Sequence, residues 1–290
     1  DNVLTSLPAT GTNLIVPGDP IVAAAGDIAC DPSSTSFNGG NGTPNFCRQK
    51  AVSDLFVGKN FSAVLALGDT QYEDGSLTQY QQSFDPSWGR AKSIIHPAVG
   101  NHEYLMAGAS GYYNYFGAAA GDPTKGYYSY DIDTWHIIVL NSNCNEVGGC
   151  VAGSPQEQWL QADLAAHPNL CTLAYWHHPR FSSGAHGDNI SYDAFWNDLY
   201  AAGAEIVLSG HDHDYERFAP QNPSGAADAN GIQQFVVGTG GQSHSAFSSI
   251  QPNSIVRNSD TYGILQLTHH TTGYDWQFIP EAGKTFTDSG

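Results

Sequence analysis

The stretch Ala63-Val64-Leu65-Ala66-Leu67-Gly68-Asp69-Thr70-Gln71-Tyr72 decides the fold. An apolar run of strand character ends at once in a glycine and a carboxylate, with a phenol three residues further on. The same local pattern recurs at four other places. Ile21 to Ala25 runs into Gly26-Asp27, and Ile94 to Val99, broken by Pro97, runs into Gly100-Asn101-His102. Leu173 to Trp176 runs into His177-His178, and Ile206 to Leu208 into Ser209-Gly210-His211-Asp212-His213. Helical patterns alternate with these runs around Gln49 to Val57, Leu77 to Phe84 and Asp193 to Ala202. The clearest is Ser154-Pro155-Gln156-Glu157 leading into Trp159, Leu160 and Leu164, with an N-cap serine, proline at the first helical position and a glutamate placed for a capping box. Strand-helix alternation predicts an α/β protein whose sheets contain parallel strands, and such sheets gather ligands beyond the carboxyl ends of their strands. The polar residues of all five runs stand there.

The last third predicts strands at Gln233 to Val237, Gly263 to Thr268 and Tyr274 to Ile279, the final two joined as a hairpin across Thr271-Thr272-Gly273. These suffice for a second sheet packed on the first, giving a two-sheet β-sandwich flanked by helices. Residues 1–19 form a polar lead-in punctuated by Pro and Gly. With no repeat and no linker, residues 20–290 are expected to be a single domain.

Composition sets the partners. With 28 acidic and 10 basic side chains the formal charge is −18, which opposes nucleic-acid binding and attraction to anionic lipid. No apolar run approaches the length of a membrane span. An anionic substrate requires local positive charge, and with so few Lys and Arg that charge is expected from bound metal. The polar start at Asp1 reads as a mature chain after signal removal. None of Cys30, Cys47, Cys144, Cys150 and Cys171 forms a C-x-x-C pair, which argues against a thiolate metal site. Cys30 and Cys47 bracket a Ser/Gly/Asn-rich loop and Cys144 and Cys150 a Gly-rich one, so two loop-stapling disulfides in an oxidising, extracytoplasmic compartment are expected, with Cys171 unpaired.

The strand ends present Asp27, Asp69, Tyr72, Asn101, His102, His177, His178, His211 and His213. Mixed carboxylate, amide, phenol and imidazole donors suit Fe, Zn or Mn rather than Ca or Mg. Gly26-Asp27, Gly68-Asp69-Thr70-Gln71-Tyr72, Gly100-Asn101-His102-Glu103, His177-His178-Pro179 and Gly210-His211-Asp212-His213, in this order, resemble the calcineurin-like metallophosphoesterase superfamily. The continuation Asp214-Tyr215-Glu216-Arg217 resembles the stretch that follows the last histidines in purple acid phosphatases. Two departures narrow the resemblance. Many superfamily members carry Asp-x-His at the first motif, whereas here the third position is Ala29; Tyr72 stands instead at the G-D-x-x-Y spacing of the purple acid phosphatases. The Asp-Arg pair that protein Ser/Thr phosphatases carry after the second motif is missing.

The resemblance implies a secreted phosphatase of αββα architecture that hydrolyses phosphate monoesters with a metal-bound hydroxide and releases inorganic phosphate. It implies one metal held by Asp27, Asp69, Tyr72 and His213, and a second held by Asp69 as bridge with Asn101, His177 and His211. His178 is left to a structural role. A phenolate favours Fe(III), so iron is expected at the tyrosinate site and divalent Zn, Fe or Mn at the other. Formal charges of +3 and +2 against Asp27, Asp69, ionised Tyr72 and one hydroxide leave a positive site in a negative protein. The leaving alkoxide needs a proton, for which His102 and His186, in the loop after His177-His178, are the candidates. Phosphodiester or nucleotide hydrolysis on the same metals is the alternative, and a metal- or phosphate-binding protein without turnover is a second. His269-His270 are expected at the surface, and Gly238-Thr239-Gly240-Gly241 as a tight turn.

Overall fold

The computed structural model describes residues 18–168 and 170–290; all but the last two residues of the expected lead-in lie outside them. Twelve strands run through these residues: β1 (Ile21–Ala25), β2 (Ala63–Leu67), β3 (Ile95–Ala98), β4 (Tyr128–Ile132), β5 (Trp135–Val139), β6 (Cys171–Tyr175), β7 (Ile206–Ser209), β8 (Tyr215–Phe218), β9 (Gln233–Val237), β10 (Ser254–Asn258), β11 (Gly263–His270) and β12 (Gly273–Pro280). The helices are α1 (Gln49–Ser53), α2 (Leu77–Gln79), α3 (Ser110–Phe116), α4 (Pro155–Ala166) and α5 (Asp193–Ala202). One sheet has the order β12-β11-β1-β2-β3 and the other β10-β8-β9-β7-β6-β5-β4. Within the first, β1, β2 and β3 are parallel; within the second, β5, β6, β7 and β9 are parallel.

Strand alternation divides the second sheet between two cores. Ile137, Val139, Leu173, Tyr175, Ile206 and Leu208 point into the core shared with the first sheet. Their neighbours Ile138, Leu140, Ala174, Trp176 and Val207 pack with Leu160, Phe195, Trp196 and Leu199 of α4 and α5. At the start of α4, Ser154 Oγ accepts from Glu157 N as expected, but Glu157 reaches Gly153 N rather than closing the box on Ser154.

The expected strands form, but the last third does not make a sheet of its own. β11 pairs antiparallel with β1, adding the terminal hairpin to the first sheet, and β9 joins the second beside β7. Pairing partners far apart in sequence leave no local signal, because the pattern along a strand records which face is buried and not which edge is filled. The surface expectation for His269 is also corrected. Leu265, Leu267 and His269 alternate onto the buried side of β11, where the His269 ring stacks on Trp135 at 4.4 Å. His270 bonds Asp19 through Nδ1 at 2.7 Å. The Cys30–Cys47 and Cys144–Cys150 disulfides form, and Cys171 is free.

Candidate metal centre

Residues following β1, β2 and β3 of one sheet meet residues following β6 and β7 of the other. The approach is close enough to forbid side chains at the glycines: a Cβ on Gly68 would lie 2.6 Å from the His177 side chain, and one on Gly100 would lie 2.2 Å from Asp69 N. Three donors leave their strands in the left-handed region, Asp27 at φ 59°, Asp69 at φ 42° and His211 at φ 70°. Non-glycine residues there are strained, and such strain collects where a side chain must be aimed.

Tyr72 Oη lies 2.9 Å from Asp27 Oδ1, 3.0 Å from Asp69 Oδ2 and 3.1 Å from His213 Nε2. His213 Nε2 is 3.3 Å from Asp27 Oδ1, and its Nδ1 faces Ser243 Oγ at 2.8 Å. Two buried carboxylates converge on one phenol oxygen here, a concentration of negative charge that a cation relieves. On the other side of Asp69, Oδ2 is 3.2 Å from His177 Nε2, which is 3.2 Å from His211 Nδ1. His177 Nδ1 is oriented by Leu67 O at 2.9 Å. Asn101 Oδ1 is buried with no hydrogen-bond partner among the described residues. Asp27, Asp69 and His177 form one group able to hold a metal ion, and His177, His178 and His211 another. The residues present therefore fit two cations sharing Asp69.

The electrostatics have the same origin. Burial, then the Asp27 and Asp69 carboxylates, hold the Tyr72 phenol well above its usual value. Burial acts to lower His177, but Asp69 overrides it and holds the imidazole up to about 10. Burial and the neighbouring His177 lower His211 and bring His178 down to about 3.

All seven sequence-predicted donors converge. His102 and His186 line the mouth of the same cleft of about 320 Å³. His102 donates its backbone N–H to Asp69 Oδ1 at 2.9 Å, with Nε2 3.9 Å from Asp69 Oδ2. His186 is held through Nδ1 and its backbone N by Asp212 Oδ1, at 2.9 and 3.0 Å, its ring 4.0 Å from that of His211. His178, expected to be structural, bonds Ser142 through Nδ1 at 2.8 Å yet also converges with His177 and His211.

Sequence reasoning missed three supports: Glu103, Asp212 and Ser243. Glu103 is fully buried and its carboxylate accepts from Thr70 N, Gln71 N and Gly100 N, joining the loops after β2 and β3. Its place beside Asn101-His102 was the available signal. Gly238-Thr239-Gly240-Gly241 packs beneath the centre, where Gly240 N donates to Gly26 O at 2.8 Å.

Two packed mixed sheets with carboxylates, imidazoles and an amide gathered at facing strand ends define a metallophosphoesterase fold. The chain belongs to the calcineurin-like phosphoesterase family, whose model matches residues 22–215. It is similar to the Probable inactive purple acid phosphatase 1 of Arabidopsis thaliana, 26% identical over 76% of this chain and 40% of that protein. It is also similar to a nucleotide pyrophosphatase/phosphodiesterase of Hordeum vulgare, 26% identical over 76% of this chain and 67% of that one. Among solved structures, the purple acid phosphatase PPD1 from yellow lupin seeds superposes with a TM-score of 0.75 at 19% identity, over 93% of this chain and 53% of that one. The chain spans about half the length of the first curated relatives that it matches.

Proposed function

We propose that residues 20–290 act as one catalytic domain of a binuclear-metal phosphatase that hydrolyses phosphate monoesters outside the cytoplasm. The observation that carries this reading is Asp69 Oδ2, which lies within 3.2 Å of both Tyr72 Oη and His177 Nε2 and so faces two donor groups at once. Asp27, Asp69, Tyr72 and His213 would hold Fe(III); Asp69, Asn101, His177 and His211 would hold divalent Zn, Fe or Mn. When bound, the pair supplies Lewis acidity that neutralises phosphoryl charge and acidifies water.

Hydrolysis then forms a bond from water oxygen to phosphorus as the bond to the alcohol oxygen breaks, and the departing alkoxide takes a proton. His186 is anchored through Nδ1 to Asp212, which leaves Nε2 for that proton; His102 offers Nε2 from the facing loop. The two disulfides support an oxidising compartment, and the charge of −18 argues against nucleic acid or anionic membrane as partner. The barley relative favours a second reading, diester or nucleotide hydrolysis on the same centre.

Phenolate-to-iron charge transfer should colour the iron-loaded protein, and Tyr72→Phe should bleach it with iron retained. Asp69→Asn should reduce bound metal at both positions and lower kcat/KM for p-nitrophenyl phosphate by about a thousandfold or more, because it removes the shared charge. A colourless protein at full iron occupancy refutes the tyrosinate assignment, and preference for bis-p-nitrophenyl phosphate reverses the monoester reading. An absence of turnover with both metals bound would support a binding role.

A further inference from the structure

Beside the metal cleft lies a wider one of about 470 Å³. The two meet at Asn101, which lines both, and the ring of His178, on the wall of the second, lies 4.3 Å from the His211 ring of the first. A phosphoryl group at the centre would therefore project its alcohol portion into this second space.

The walls are fixed before any ligand arrives. The loop carrying Asn143 to Glu146 is closed by the Cys144–Cys150 disulfide, Asn143 N donates to Asn141 Oδ1 at 2.9 Å, and Asn143 Nδ2 donates to Val99 O at 3.3 Å. From the opposite side the Tyr192 hydroxyl donates to Ser142 O at 3.0 Å. A preformed wall reduces the ordering cost of binding.

Its chemistry is neutral and hydrogen-bonding. Asn143, Asn145, Asn189 and Ser191 supply amides and a hydroxyl, and Leu105, 65% exposed, supplies an apolar edge. Among the described residues, neither cleft is lined by Lys or Arg. Arg180, two residues beyond His178, is ion-paired with Asp193. The charged side chains at the rims are Glu146 in the second cleft and Glu73 in the first. A substrate whose negative charge is confined to the transferred phosphoryl group meets the metals; any further phosphate on its alcohol portion meets Glu146, no cation and an overall charge of −18.

We infer, resting on the phosphomonoesterase reading above, that this second cleft is the leaving-group subsite and selects uncharged, hydroxyl-bearing alcohols, as in sugar or nucleoside monophosphates, against leaving groups that carry additional phosphate. Like charges repel, and more strongly near a protein surface than in bulk water, so the discrimination is about tenfold or greater.

The experiment compares kcat/KM for glucose 6-phosphate and glucose 1,6-bisphosphate in the metal-loaded chain, with p-nitrophenyl phosphate as the reference ester. The expected result is a preference of about tenfold or more for the monophosphate. Glu146→Lys and, from the facing wall, Leu105→Arg should each narrow that ratio several-fold; both positions are exposed, and thermal melts report whether each variant folds. Equal or better use of the bisphosphate by the unaltered chain, or a ratio that neither folded variant moves, overturns the subsite. Failure to hydrolyse p-nitrophenyl phosphate overturns the phosphatase reading itself, an outcome separable from the first because the reference ester has no second phosphate.

Discussion

Glu103 shows how much of a candidate metal centre can rest on a residue outside its donor set. Its Oε1 accepts from Thr70 N at 2.8 Å, Thr70 Oγ1 at 3.0 Å and Gln71 N at 3.1 Å, and its Oε2 accepts from Gly100 N at 2.7 Å. Truncation strands three buried backbone donors, which is costlier than losing the bonds themselves. Glu103→Ala should therefore lower stability by about 3–5 kcal/mol in urea melts and reduce bound metal, since the loops that aim Asp69 and Asn101 lose their common anchor. His269 poses the opposite case. Both ring nitrogens are buried without partners among the described residues, and burial with neighbouring His270 lowers the imidazole to about 3. The unfolded chain thus binds a proton that the folded chain refuses, so the contribution of this residue to stability falls as pH drops below about 6.5. His269→Phe keeps the stack on Trp135 and should raise stability by about 1–3 kcal/mol, most at acid pH, with a flatter pH profile in the same melts.

At the scale of elements, the β4–β5 hairpin is clipped to α4 by one imidazole. His136, on β5, bonds Asp131 of β4 through Nδ1 and Asp163 of α4 through Nε2, each at 2.7 Å. Burial acts to lower His136, but the two carboxylates raise it above its ordinary value, while His136 holds Asp163 below the ordinary carboxylate value against its own burial. The imidazolium contributes stability that is fully present below pH about 6.5 and is lost as pH rises through its raised folded value. Asp163 contributes above the ordinary carboxylate range, and that part is lost on acidification. His136→Gln should lessen the alkaline decline measured by urea melts between pH 5 and 9 and cost about 1–3 kcal/mol at pH 6. Asp131, His136 and His167 also converge as a possible metal group. The rings of His136 and His167, however, stack at 3.8 Å and 17°, and near-parallel imidazoles cannot both aim a lone pair at one ion, so an ion-pair clip is the better reading.

At the scale of the whole molecule, the two disulfides close loops of different length, with sequence separations of 17 and 6. Loop-closure entropy assigns about 3 kcal/mol to the first and about 2 kcal/mol to the second. Replacing Cys30 and Cys47 by serine should therefore lower Tm more than replacing Cys144 and Cys150, as calorimetry would register. Much of this molecule was written locally. Apolar runs ending in Gly-Asp, Gly-Asn-His, His-His and Gly-His-Asp-His marked β1, β2, β3, β6 and β7 and the donors that follow them, because a strand that stops in a donor is visible in its own few residues. The N-cap at Ser154 and both cysteine pairs were legible for the same reason. What the chain did not disclose was every choice made between distant segments: that β11 would fill the free edge of β1, that His269 would face the core, and that Glu103 would tie two loops. The wall of Asn143 and Tyr192 beside the donor cluster belongs with these, since hydrogen-bond partners and neighbouring strands are selected only when both sheets close on each other.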